Sequence, residues 1–207
     1  TAYTDPQDFF VNETKGAYNV RRRISYEEYT SMVENSDQRY ELIRGEVYLL
    51  ASPSFRHQVI VGEIYGHLRQ YFSGKACQAL TAPLDVRLFG WATKFNEDPN
   101  VVQPDVVVIC DPKNVTDNGK YEGIPTLVVE VLSPSTRGKD LITKLELYMR
   151  SGIREYWIVD PTERTVTQYS FDEQREPKDI RLLKENEVLR SSVFEGLELS
   201  ITSIFLR

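Results

Sequence analysis

The chain has 207 residues, 41% of them hydrophobic, enough for one domain with a core of its own. With 31 acidic against 25 basic residues it carries a formal net charge of -6, which weighs against a non-specific duplex binder, since such proteins present a large basic surface. No apolar run reaches membrane-spanning length, and the opening TAYTDPQDFF has neither the basic nor the apolar region of a signal peptide, so the expected setting is the cytoplasm, with no membrane partner.

Residues 1–21 read as a flexible N-terminal arm and residues 22–207 as a single domain. The basic run Arg21-Arg22-Arg23 is either solvated surface or a phosphate contact. Ser25 followed by Glu28 makes a capping-box pattern and starts a helix. Arg44-Gly45 then separates two short runs, the second of which, Glu46 to Leu50, reads as a strand. SPSFRHQVIVGEIYGHLRQYF is an amphipathic helix, with Val59, Ile60, Ile64 and Leu68 on one side. Residues 79–89 and VVQPDVVVIC each read as one strand, the latter with Pro104 at its entry, where proline is tolerated. TLVVEVL is a further strand, and a helix is expected from about Arg137 to Arg150, ending near Gly152. REYWIVDPTERTVTQYSF reads as a hairpin turning at Asp160-Pro161-Thr162-Glu163, with more short strands behind it. Helices alternating with strands in this order predict an α/β domain built on a mixed sheet. Cys77 and Cys110 lack metal-ligand spacing and read as free thiols in a reducing compartment.

Carboxylates in unusual places carry the functional reading. Glu130 interrupts the apolar run LVVEVL, where a charge needs a partner, a metal or a wet strand end. Asp105 follows Pro104 at the mouth of another apolar run, and Glu46 opens a strand. Brought together, such groups repel unless a cation intervenes, and their hard oxygens suit Mg²⁺ or Mn²⁺. The alternative is structural: a turn carboxylate at Asp105, and an ion pair of Glu130 with Arg137 or Lys144. Lys144 and Tyr148 share a helix face, though Lys144 is also spaced to pair with Asp140. Glu41 could reach the same pocket as Glu46, and His57 could act as a base or phosphate contact, whereas His67 reads as structural or surface. No phosphate-binding glycine loop, nucleophile elbow or zinc motif is present.

The stretches YELIRGEVYLLASPSFRHQVIVGEI, VVQPDVVVI, LVVEVLSPSTRGKDLITKLELYMRSGIREYWIVDP and FEGLELSI together resemble one family. It is that of the putative restriction endonucleases, formerly a domain of unknown function and numerous in cyanobacteria, whose fold is similar to that of the PD-(D/E)XK nucleases. The resemblance covers about residues 22–205. It implies a restriction-endonuclease-like mixed sheet flanked by helices, with additional C-terminal strands and a site where two central strands diverge. It implies a catalytic set of Glu46, Asp105, Glu130 and Lys144, with Glu41 as the alternative to Glu46. The metal, Mg²⁺ or Mn²⁺, would be held by Asp105, Glu130, the carbonyl of Val131 and Glu46. One position departs from the superfamily pattern: the lysine expected two residues after Glu130 is Leu132, and Lys144 on the next helix is the candidate substitute. The implied activity is metal-dependent hydrolysis of DNA. The alternative is a catalytically inactive relative that binds nucleic acid or a protein. A homodimer is expected through strand edges between Tyr156 and Leu189.

Overall fold

A computed structural model describes residues 23–133 and 138–205. The arm expected over residues 1–21, and Arg137, lie outside the described residues. The described chain opens with α1 (Tyr26–Glu34), where Ser25 and Glu28 form the expected capping box. A hairpin follows, β1 (Tyr40–Ile43) and β2 (Glu46–Leu49), turning on Arg44 and Gly45 at φ 54° and 77°. Two positive φ values make the tight turn whose twist matches a hairpin, and glycine accepts such a conformation without strain. The turn fixes the register, placing Glu41 opposite Tyr48 and Ile43 opposite Glu46.

Next come α2 (Phe55–Tyr71), β3 (Gln78–Thr81), β4 (Val86–Leu88), β5 (Asn100–Val102), β6 (Val106–Ile109) and β7 (Leu127–Val131). A π-helical stretch over Lys139–Lys144 leads into α3 (Leu145–Ser151), which stops at Gly152 with φ 94°. The chain finishes with β8 (Glu155–Asp160), β9 (Thr165–Phe171), β10 (Pro177–Lys184), β11 (Val188–Arg190), β12 (Glu198–Ser200) and α4 (Ile201–Ile204). Among the described residues, no helix is long and apolar enough to cross a membrane.

The strands make a six-stranded sheet, in the order β10-β9-β8-β7-β6-β3, a four-stranded sheet, β2-β1-β5-β4, and the pair β11-β12. β7 and β8 run parallel, and the other neighbours pair antiparallel. The architecture is therefore a mixed α/β one. Continuous apolar runs in β6 and β7 follow from burial on both faces. Val106, Val108, Leu127 and Val129 pack under α2 with Ile60, Ile64 and Leu68, and with Leu199, Ile201 and Ile204 from the C-terminal end. Val107, Ile109 and Val128 face the other way, onto Leu147 and Tyr148 of α3 and onto Ile43, Val86 and Val102 of the smaller sheet.

Two segments that read as single strands each divide between the sheets. In residues 79–89, Pro83 separates β3 of the large sheet from β4 of the small one. In VVQPDVVVIC, Gln103-Pro104-Asp105 carries the chain from β5 in the small sheet to β6 in the large one. Proline has no N–H for a ladder, so each sheet releases the chain there. The cysteines also differ from expectation. Gln78 pairs with Ile109, so Cys77 arrives abreast of Cys110, and the two are joined in a disulfide with Cα atoms 4.0 Å apart.

A buried carboxylate ties the C-terminal strands to the sheet. Glu155 is fully buried in β8 and accepts five hydrogen bonds. Trp157 Nε1 and Gln168 Nε2 donate to one oxygen, both at 2.6 Å. The Ser191 hydroxyl, the Ser192 N–H and the Ser192 hydroxyl donate to the other. All five donors are neutral, so hydrogen bonding alone replaces the water that this charge lost.

Candidate active site

The site forms where the chain leaves one sheet for the other. The β6–β7 ladder runs to Val106 opposite Val129, and the next step brings Asp105 alongside Glu130. There the strands part. The Val131 N–H, which has no β6 carbonyl left to reach, donates to Asp105 Oδ2 at 2.8 Å. His57, in the first turn of α2, places Nε2 3.2 Å from the same oxygen. Ser54 caps that turn by accepting from the His57 N–H, which fixes where the ring begins.

Glu130 is only 3% exposed. Lys144 Nζ and the Tyr148 hydroxyl both donate to its Oε1, each at 2.7 Å. Four residues apart, Lys144 and Tyr148 fall on one side of the helix, at the junction of the π-helical stretch and α3. Lys144 Nζ also lies 2.8 Å from Glu41 Oε1, and Glu41 is fully buried. The same Glu41 oxygen accepts the Gln103 N–H at 2.9 Å. One buried ammonium thus joins a carboxylate of each sheet, and short charge-assisted hydrogen bonds hold all three groups. Without the cation, two buried carboxylates would face each other uncompensated.

Glu41, Asp105, Glu130 and Lys144 line a cavity of about 510 Å³ together with His57 and Gln103. Arg39 and Arg56 also line it and give the acidic floor a partly basic wall. Glu46 is not among the lining residues. The hairpin register explains this: Glu41 lies opposite Tyr48, and Glu46 sits two positions nearer the turn, opposite Ile43. That is a displacement of about 7 Å along the strand. There its Oε2 accepts the Tyr48 hydroxyl at 2.9 Å. Of the two upstream acids weighed from the sequence, the structure therefore brings Glu41 to the cavity and leaves Glu46 outside. His67 lies elsewhere, against the backbone carbonyl of Glu198.

Leu132 is buried against Leu147 and Tyr148, so the strand offers no cation at that position and the helix supplies it. Gln103 was not singled out from the sequence. Its Nε2 donates to Asp85 Oδ1 at 2.8 Å, and Lys120 pairs with the other Asp85 oxygen at 2.9 Å. Its position directly before Pro104-Asp105 was the available signal. The field of these acids reaches Tyr29, whose phenol is pushed well above its ordinary value by burial first, then by Asp85 and Glu41. Its hydroxyl donates to the Tyr40 carbonyl at 2.9 Å, next to Glu41.

Among the described residues, no three His, Cys, Asp or Glu side chains group closely enough to hold an ion by themselves. Mg²⁺ does not require such a group. It commonly takes one or two carboxylates and completes its shell with other oxygens and water. Asp105 and Glu130, with the Val131 backbone between them, are an all-oxygen set of that kind, so the residues fit a hard divalent ion.

A family model described as putative restriction endonuclease, named Uma2, matches residues 26–202. The chain belongs to that family. Two relatives come from Synechocystis sp. The uncharacterized protein slr1290 is 28% identical over 148 residues, 71% of this chain and 74% of the relative. The uncharacterized protein sll1609 is 27% identical over 161 residues, 77% and 87% of the two chains. A crystal structure of a putative nuclease of the DUF820 group from Anabaena variabilis superposes with a TM-score of 0.70 at 20% identity, covering 88% of this chain and 97% of that one. At that identity the likeness concerns the fold.

Proposed function

We propose that this Uma2 protein is an endonuclease that hydrolyses phosphodiester bonds of DNA with a divalent cation, Mg²⁺ or Mn²⁺. One observation carries the reading: the buried Lys144 bridges Glu41 and Glu130 beside Asp105, in a cavity open to a ligand. Asp105, Glu130 and the Val131 carbonyl would hold the ion. When bound, it supplies a polarised phosphate and a more acidic water. The other roles belong to the chain. The Val131 N–H and His57 hold the Asp105 carboxylate in place. Lys144 and Tyr148 fix Glu130, and Lys144 brings to the cavity the positive charge that Leu132 does not supply. A fixed ammonium in a buried setting stabilises charge developing on a phosphate far better than one in water. Arg39 and Arg56 on the wall suit the flanking phosphates. The same reading has the chain acting as a homodimer in the cytoplasm. In reducing cytosol the Cys77–Cys110 bond is disfavoured, and thiol titration of protein isolated under alkylating conditions reads its state directly.

The test is a single-turnover assay on labelled single- and double-stranded DNA, with Mg²⁺, Mn²⁺ or EDTA. Cleavage is expected only with metal, faster with Mn²⁺, and lost in Asp105→Asn and Glu130→Gln variants that still fold. A rate indifferent to EDTA and to Asp105→Asn would belong to a contaminant. Absence of cleavage on every DNA form would leave the inactive, binding alternative, to be tested by gel shift.

A further inference from the structure

β10 forms the outer edge of the large sheet and pairs with β9 on one side only. It is long, Pro177–Lys184, and of its residues only Leu183 is buried. Ile180 and Leu182 are 55% and 58% exposed. Two residues apart, they point to the same face and form an apolar stripe on an open strand edge. Such an edge is a template for another strand.

Charge and backbone parity select the partner. In a strand, the N–H and C=O of one residue point to the same side, and those of the next residue point to the other. An antiparallel ladder therefore matches residues of like orientation. When β10 pairs with its own copy about a two-fold axis, the residue on the axis must face itself, and only four registers are centred on the ladder. With Asp179 or Arg181 on the axis, like charges meet directly. With Leu182 on the axis, Arg181 faces the apolar Leu183, and Ile180 faces Lys184. With Ile180 on the axis, Asp179 of each copy faces Arg181 of the other, twice, and the two Ile180 side chains cover each other. Each Leu182 then faces Lys178 of the other copy, whose aliphatic stem can lie over it, and is diagonal to the other copy's Ile180, within reach of contact.

Among the described residues, nothing competes for these charges. Across β9, Asp179 faces Ser170 and Arg181 faces Gln168, both uncharged. Neither charge has a side-chain ion pair among the described residues. The strand is also bounded. An irregularity between Pro177 and Asp179 interrupts the ladder at one end, so it cannot extend indefinitely. A two-fold contact of this kind closes on itself.

We propose that β10 is a homodimer interface, pairing antiparallel with a second copy of this chain with Ile180 on the two-fold axis and reciprocal Asp179–Arg181 pairs. The interface does not depend on the chemistry of the cavity, and its test contains no activity measurement. Sedimentation velocity over a concentration series should give a monomer–dimer equilibrium for the wild-type chain. Arg181→Asp sets Asp against Asp twice and should weaken the dimer about tenfold or more, a cost of about 1.4 kcal/mol or greater. The double variant Asp179→Arg, Arg181→Asp restores opposite charges in this register and should restore the dimer. Both positions are exposed, so circular dichroism should show unchanged folding. A monomeric wild-type chain at every concentration overturns the proposal. So does a dimer indifferent to Arg181→Asp, or one that the double variant fails to restore.

Discussion

Replacing Lys144 with methionine keeps most of the side-chain volume and removes one buried charge. In the intact protein its ammonium lies 2.7 Å from Glu130 and 2.8 Å from Glu41, which are 3% and 0% exposed. Deleting one partner of a buried ion pair typically costs about 3–5 kcal/mol, because the remaining charge stays desolvated. Here two carboxylates are left facing each other, so the upper part of that range is expected at neutral pH. Against a typical total stability of about 5–15 kcal/mol, such a loss is plain in a urea titration. Adding Glu41→Gln to Lys144→Met removes one carboxylate but keeps an oxygen for the Gln103 N–H. The double variant should therefore be more stable than Lys144→Met alone, with a coupling energy of about 1–3 kcal/mol between positions 41 and 144. A loss below about 1 kcal/mol, or additive effects of the two substitutions, would refute a structural bridge between the sheets.

Further outcomes are expected away from the cavity. Glu155→Gln turns an acceptor of five hydrogen bonds into a group whose NH₂ meets donors, and should cost about 3 kcal/mol in urea unfolding while leaving the cavity residues untouched. Tyr29 and Tyr121 are both pushed above the ordinary phenol range, each chiefly by burial, with Asp111 adding to the shift of Tyr121. Their contribution to stability is whole below the unfolded-chain value near 10 and falls as pH rises towards the folded-state values, since the unfolded chain then loses protons first. Phenolate absorbance should accordingly show these two tyrosines ionising only as the chain unfolds, and a smooth titration of all twelve in the folded protein would contradict their burial.

Much of this arrangement was legible locally. A carboxylate inside LVVEV, an aspartate after Pro104, and Lys144 with Tyr148 one helical turn apart are all visible in short windows, because burial and helical spacing are local signals. What was not legible depended on register. Choosing between Glu41 and Glu46 required the positive-φ turn at Arg44-Gly45, which sets Glu41 opposite Tyr48 and Glu46 nearer the turn, opposite Ile43. VVQPDVVVIC looks like one strand because its apolar period continues through Pro104, and nothing local says that the chain changes sheets there. The cysteines are 33 residues apart, and only the pairing of β3 with β6 makes them neighbours. Gln103 escaped notice because its backbone N–H, which no sequence pattern advertises, makes the contact to Glu41.

The passage of Gln103-Pro104-Asp105 between the sheets sets the cavity on two foundations, which meet in a shared core but each keep a core of their own. Glu41 stands on a core of Tyr29, Leu42, Phe95 and Val101, whereas Asp105 and Glu130 stand on strands packed under α2 and against α3. Damage to the smaller core, as in Phe95→Ala, reaches Glu41 first and leaves Lys144 with one counterion in place of two. Damage under α2 reaches Asp105 and Glu130 instead. Lesions remote from the cavity should thus sort into two groups by the residue they displace, and a variant can lose a complete site while its larger sheet remains folded.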